Sequence, residues 1–205
     1  GLPFAREFNL LSGEVRPLSP AEFERTWQRQ AEAIERRLAE AAGRLRVRWS
    51  FRIARGSLPA EIGALAQAHD LLVLAETSYR LSGIAASARV GPVLVLFEEP
   101  AASANSLEVG ARLARLNGAE LVLLIDAPSD EAYRITCARA QLAVHGLGAS
   151  GRCARLPALD GANLIRAARQ HAAGCLVLPD RQRFLTQAAL ARVLDELDCP
   201  VVLTR

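Results

Sequence analysis

The sequence predicts an α/β protein of tandem doubly wound parallel-sheet units, the first incomplete. Three observations carry that expectation. The run Ala68-His69-Asp70-Leu71-Leu72-Val73-Leu74 is echoed by Ala172-Ala173-Gly174-Cys175-Leu176-Val177-Leu178. Gly91-Pro92-Val93-Leu94-Val95-Leu96 is echoed at a similar offset by Cys199-Pro200-Val201-Val202-Leu203-Thr204. Between 92 and 205, short unbroken apolar runs alternate with helical patterns, as in a parallel sheet covered on both faces. Residues 1–91 are expected to form the incomplete unit and 92–205 the complete one.

Residues 1–17 lack clear periodicity and read as an entry loop. Ser19, Pro20 and Glu22 then make a helix start, with Ser19 as cap, Pro20 at the first helical position and Glu22 closing a capping box. Phe23, Trp27, Ala31, Ile34, Leu38 and Ala41 follow as one apolar stripe, which predicts core packing for Trp27, and Gly43 supplies the stop. Residues 46–53 alternate arginine and serine with Val47, Trp49, Phe51 and Ile53, the pattern of a strand with one buried face. A helix is predicted over 59–68, a fully buried strand over 71–74, and a short helix around 81–88.

In the second half, strands are predicted at 92–97, 121–125, 152–156, 175–178 and 201–204. Helices are predicted over 103–116, stopped by Asn117-Gly118, and from 129 or 130 to 145, stopped by Gly146. Asp160 caps a third that reaches His171, and a fourth spans 184–197. This order is a complete βαβαβαβαβ unit. Residues 18–75 supply only the middle of one.

Composition limits the function classes. The chain has 205 residues, 51% of them hydrophobic, and a formal net charge of +3. Its charges are interspersed, as where Glu32, Glu35, Arg36, Arg37 and Glu40 share one helix, so no basic stripe predicts a nucleic-acid partner. Every basic side chain other than histidine is arginine, which excludes Schiff-base and P-loop lysine chemistry. No apolar run reaches membrane-spanning length, and no signal-peptide pattern is read at the start of the sequence. Met is absent, and the chain is expected to be a segment of a longer product. Cys137, Cys153, Cys175 and Cys199 have no CxxC spacing and read as small buried hydrophobes of a reducing, cytoplasmic compartment. His69, His145 and His171 sit near helix ends, where they face the negative pole of the dipole. No nucleophile elbow accompanies them, so no catalytic residues are assigned and an enzyme is not expected.

The pattern of elements over about 20–205 resembles the universal stress protein family in tandem form, a Rossmann-like fold of the adenine nucleotide alpha-hydrolase type. The opening strand of that family ends in Asp-Gly-Ser; here Val93-Leu94-Val95-Leu96-Phe97-Glu98-Glu99-Pro100 occupies the position. Its closing segment carries a loop of the form G-x2-G-x9-G-[S/T] before a Pro-Val strand. Here Leu176-Val177-Leu178-Pro179 and Cys199-Pro200-Val201-Val202 match the two ends. Between them Pro179-Asp180-Arg181-Gln182-Arg183 replaces the loop, and no glycine follows Gly174. Family members that bind ATP use those glycines to bring backbone N–H groups to the phosphates. In the first copy, Ala75-Glu76-Thr77-Ser78-Tyr79-Arg80 offers no such glycines either.

The resemblance therefore implies a non-catalytic regulatory or stress-response protein with degenerate ATP-binding loops, no cofactor, and action through protein contacts. The adenine-contacting Asp of the family corresponds to Glu98. Glu98, Asp126 and Asp180 are expected to share the carboxyl edge of the sheet, where they would repel phosphates unless a divalent cation intervened. Two alternatives stand beside this one. The first is a nucleotide or small-ligand sensor whose anion site is rebuilt around Arg181 and Arg183. The second is the soluble domain of a transporter or sensor kinase. The resemblance also implies a homodimer through edge strands, with Val201, Val202 and Leu203 as an apolar edge needing cover.

Overall fold

The computed structural model describes residues 6–8, 15–17, 20–53, 62, 65, 69–74, 91–179, 192–194, 196–197 and 199–205. The chain divides into two compact units, 1–55 and 56–205.

In the first unit, strands β1 (Arg6–Phe8) and β2 (Val15–Pro17) pair antiparallel with Phe8 opposite Val15, where the sequence read a loop. Strands of three residues are too short to display a two-residue period, so the signal was missing. Helix α1 runs Pro20–Leu45, past the predicted stop at Gly43. It ends at Arg46, whose φ of 54° is left-handed, and the Val47 N–H donates to the Ala42 carbonyl at 3.1 Å. That geometry closes the last turn in the way a glycine usually does. The proposed cap, Ser19, lies outside the described residues. The α1 stripe departs from expectation: Ala31 is buried, whereas Trp27 is 45% and Ile34 50% exposed, and the buried Ala42 lies beside the stripe. Periodicity marks a face that can be buried but supplies nothing to cover it. Residues 47–53 form no strand, because alternation without a partner makes no ladder, and Val47, Trp49 and Ile53 are exposed.

The second unit holds a six-stranded sheet. In chain order the elements are β3 (Leu71–Leu74), β4 (Val93–Phe97), α2 (Pro100–Asn117), β5 (Leu121–Asp126), α3 (Asp130–Gly146), β6 (Arg152–Leu156), α4 (Gly161–Gln170), β7 (Cys175–Pro179) and β8 (Val201–Thr204). Residues 192–194 and 196 are helical as well. The spatial order is β3-β8-β7-β4-β5-β6. All pairings are parallel except β3 with β8, which run antiparallel with Leu71 opposite Thr204 and Leu74 opposite Val201.

Burial on both faces explains the unbroken apolar strands. Val95, Leu123 and Val177 face one core with Leu107, Ala111 and Val144 of α2 and α3. Leu94, Leu124, Leu176 and Leu203 face the other with Leu164 and Ile165 of α4 and Val193 and Leu194. The architecture is three layers, α/β/α. α2 lies close on β4, because a Cβ at Gly110 would come within 2.3 Å of a Val95 methyl. The caps follow the sequence. Pro100 takes the first turn of α2 and Gly118, at φ 59°, ends it. Ser129 accepts from the Ala132 N–H at 3.1 Å and Asp160 from the Asn163 N–H at 2.7 Å.

The sheet order corrects two expectations. Residues 71–74, read as a buried strand of a first unit, form the outer strand of the second unit's sheet, and Leu71 is 47% and Val73 57% exposed. An apolar run can be assigned to a strand, but its partner lies elsewhere in the chain. The terminal strand β8, read as an open edge, is flanked by β7 and β3, so no second copy is needed to cover it. Among the described residues, 1–91 form no parallel sheet of their own. The predicted helices at 59–68 and 81–88 lie largely or wholly outside the described residues, as does most of the helix at 184–197.

Candidate functional site

The carboxyl ends of parallel strands, where ligands bind in doubly wound sheets, are the first place to look. β4 and β5 pair with Phe97 opposite Ile125, so Glu98 and Asp126 stand at neighbouring strand ends. Asp126 is exposed. Glu98 is half-buried, with one carboxylate oxygen shielded from water, and its backbone N–H donates to Ser103 Oγ at 3.1 Å. Ser103 is fully buried, so this bond pins the turn from β4 into α2.

That turn carries the electrostatics. A helix N-terminus attracts anions through its partial positive charge and free N–H groups. Here Glu99 is the residue before α2, in extended backbone and without a side-chain cap, and Pro100 at the start has no N–H to offer. Glu98 and Glu99 place two acidic residues just before the helix.

The far side of the same edge is tied shut. Ser106 of α2 shares a buried 2.7 Å hydrogen bond with Thr204 of β8, and the Asn105 side-chain amide donates to the Arg205 carbonyl. The Arg205 N–H in turn donates to the Asp70 carbonyl at 3.0 Å. Of the three acids expected to converge, two are brought to adjacent strand ends. Asp180, with Arg181 and Arg183, lies outside the described residues. Among the described residues no three His, Cys, Asp or Glu side chains gather as a metal ion would require.

Sequence reasoning missed a second feature. A groove of about 300 Å³ follows β6, lined by Arg152 to Pro157, Tyr133 of α3, and Asn163, Arg166, Gln170 and His171 of α4 and its end. Arg152 pairs with Glu120 at 2.7 Å and contacts His171 Nδ1 at 3.2 Å. Arg155 pairs with Asp130 and lies 5.7 Å from the centre of the Tyr133 ring. Arg166 donates to Asn163 Oδ1 at 2.8 Å. Burial, then hydrogen bonding to Cys137, pushes both the Tyr133 phenol and the Cys153 thiol up to about 12. Burial, then Arg152, holds the His171 imidazole below its ordinary value against the opposing pull of Glu120. Burial also raises Cys175 to about 11, with Cys199 adding to it. None of the four cysteines is in a disulfide; Cys175 is buried and the other three are half-buried. The available signal was the polarity of β6 itself, since two arginines in five residues mark an edge strand among buried ones.

The described features define a doubly wound α/β protein with an acidic carboxyl edge. The chain is similar to solved universal stress proteins. One from Archaeoglobus fulgidus, in complex with dAMP, is 19% identical at a TM-score of 0.48, over 56% of this chain and 98% of its own. Another, in complex with cAMP, is 14% identical at 0.45, over 56% of this chain and 97% of its own. A universal stress protein family member from Burkholderia pseudomallei is 21% identical at 0.39, over 56% and 96%. No protein-family profile matches the chain, and no curated protein matches it.

Proposed function

We propose that this chain is a non-catalytic regulatory or stress-response protein that has given up nucleotide binding and acts through protein contacts. One observation carries the reading. The turn from β4 into α2 presents Glu98 and Glu99 and begins the helix with Pro100, which has no N–H, so this helix start is negatively charged where an anion would enter. Like charges at close range oppose an anionic ligand at this turn. The replacement of the glycine loop by Pro179-Asp180-Arg181-Gln182-Arg183 supports the same reading from the sequence.

Isothermal titration with ATP, ADP and AMP in the presence of magnesium is the direct test. No heat of binding is expected at micromolar protein, and a micromolar dissociation constant for any of the three overturns the proposal.

We also propose a homodimer, moved from the terminal strand to β3. Leu71 and Val73 give that outer strand an exposed apolar face without a charged side chain, the chemistry that edge strands usually avoid. Light scattering decides between dimer and monomer.

A further inference from the structure

The groove along β6 combines an open strand edge with a lining of arginines. β6 is the last strand of the sheet on its side, hydrogen-bonded to β5 alone among the described residues. An outer strand offers every second backbone N–H and C=O outward, ready to accept another strand. The groove is lined by the whole of that strand, with α3 rising on one side of the sheet and α4 on the other. Tyr133 and Arg155 form one wall. Arg152, Arg166 and Gln170 belong to the opposite wall.

We propose that β6 is a docking edge for an extended acidic peptide segment of a partner protein, added as a strand alongside Arg152–Leu156. The inference names a partner class for the contact-based role proposed above and rests on that role. Charge complementarity selects the occupant. Side chains of an added strand point alternately to the two faces, so one alternate set meets Arg152 and Arg166 and the other meets Arg155 and Tyr133. Carboxylates at the first set pair with guanidinium forks, of which Arg166 is bound, among the described residues, to a neutral amide oxygen and not to an acid.

The test uses the full chain and a dye-labelled peptide of alternating residues, Glu-Val-Glu-Val-Glu-Val-Glu, by fluorescence anisotropy at low salt. Saturable binding is expected, with Arg166→Gln weakening it and Arg166→Glu weakening it roughly tenfold or more. Arg166 is an exposed helix position, and circular dichroism checks that each variant is folded. Hydrogen exchange by NMR gives the second readout. Saturating peptide should slow the alternate amides of 152–156 that point out of the sheet. The proposal fails if the peptide does not bind, if Arg166→Glu leaves affinity unchanged, or if binding protects no β6 amide. Equal binding of Lys-Val-Lys-Val-Lys-Val-Lys, or protection of β6 by self-association without peptide, also overturns it. Nucleotide titration is a separate measurement, so failure of this proposal and failure of the reading beneath it are told apart.

Discussion

The two outer strands of the sheet solve the same problem in opposite ways. β6 ends the parallel side, carries Arg152 and Arg155, and anchors itself through Leu156, which is fully buried. β3 ends the other side as the one antiparallel strand among those described in the sheet, and its four residues are Leu, Leu, Val and Leu. Its Leu72 and Leu74 pack against the core under α4, while Leu71 and Val73 look out on the face covered elsewhere by α2 and α3. α2 reaches only as far as β8, where Ser106 meets Thr204. An edge strand held by one buried face and left bare on the other invites association, whereas a charged one restricts it to complementary partners.

The largest effect expected from this contrast is in stability. Leu156→Ala should cost about 2–5 kcal/mol by urea denaturation, as for a fully buried leucine, against less than about 1 kcal/mol for Val73→Ala. Equal losses would mean that β3 is as deeply anchored as β6, and the comparison would break. Next comes association state. Val73→Lys should convert a dimer to a monomer by light scattering with little change in stability, since the side chain is more than half exposed. An unchanged mass would move the dimer contact away from β3.

The smallest effect concerns pH at the β6 side. The folded state holds the His171 imidazole below its ordinary 6.5, so it takes up a proton less readily than the unfolded chain. Stability from this site is complete above the unfolded value and is lost as pH falls through it toward the lowered one. Thermal melts between about pH 7.5 and pH 5 should therefore show a shallower decline in His171→Gln than in the parent protein. An identical slope would remove His171 from the account of that edge.

Most of the second unit is legible in the order of its residues. Pro100, Gly118, Ser129 and Asp160 act within one or two turns of themselves, so the starts and stops of α2, α3 and α4 follow from local chemistry. α2 begins a turn earlier than predicted because Pro100 suits the first helical position better than the residues after it. In the first unit the same reasoning fails where it depends on a partner. The alternation at 46–53 finds no ladder, and the apolar stripe of α1 leaves Trp27 exposed. The candidate site is legible in part. Glu98 and Asp126 are placed correctly at neighbouring strand ends, because parallel strands must end on one edge. The β6 groove is not, since Tyr133, Arg155 and Arg166 come from three elements that meet only when the sheet is assembled.

The sequence by itself determined most of the doubly wound elements described between 92 and 205, their caps, and the absence of glycine after Gly174. These are local facts, written in spacing and in the conformational preferences of single residues. Only the tertiary structure decided that 71–74 join the sheet antiparallel beside β8, that the terminal strand is therefore covered, and that β6 is left open beside its arginines. Strand pairing is a contact between distant parts of the chain, and an apolar run carries no mark of which neighbour it will find.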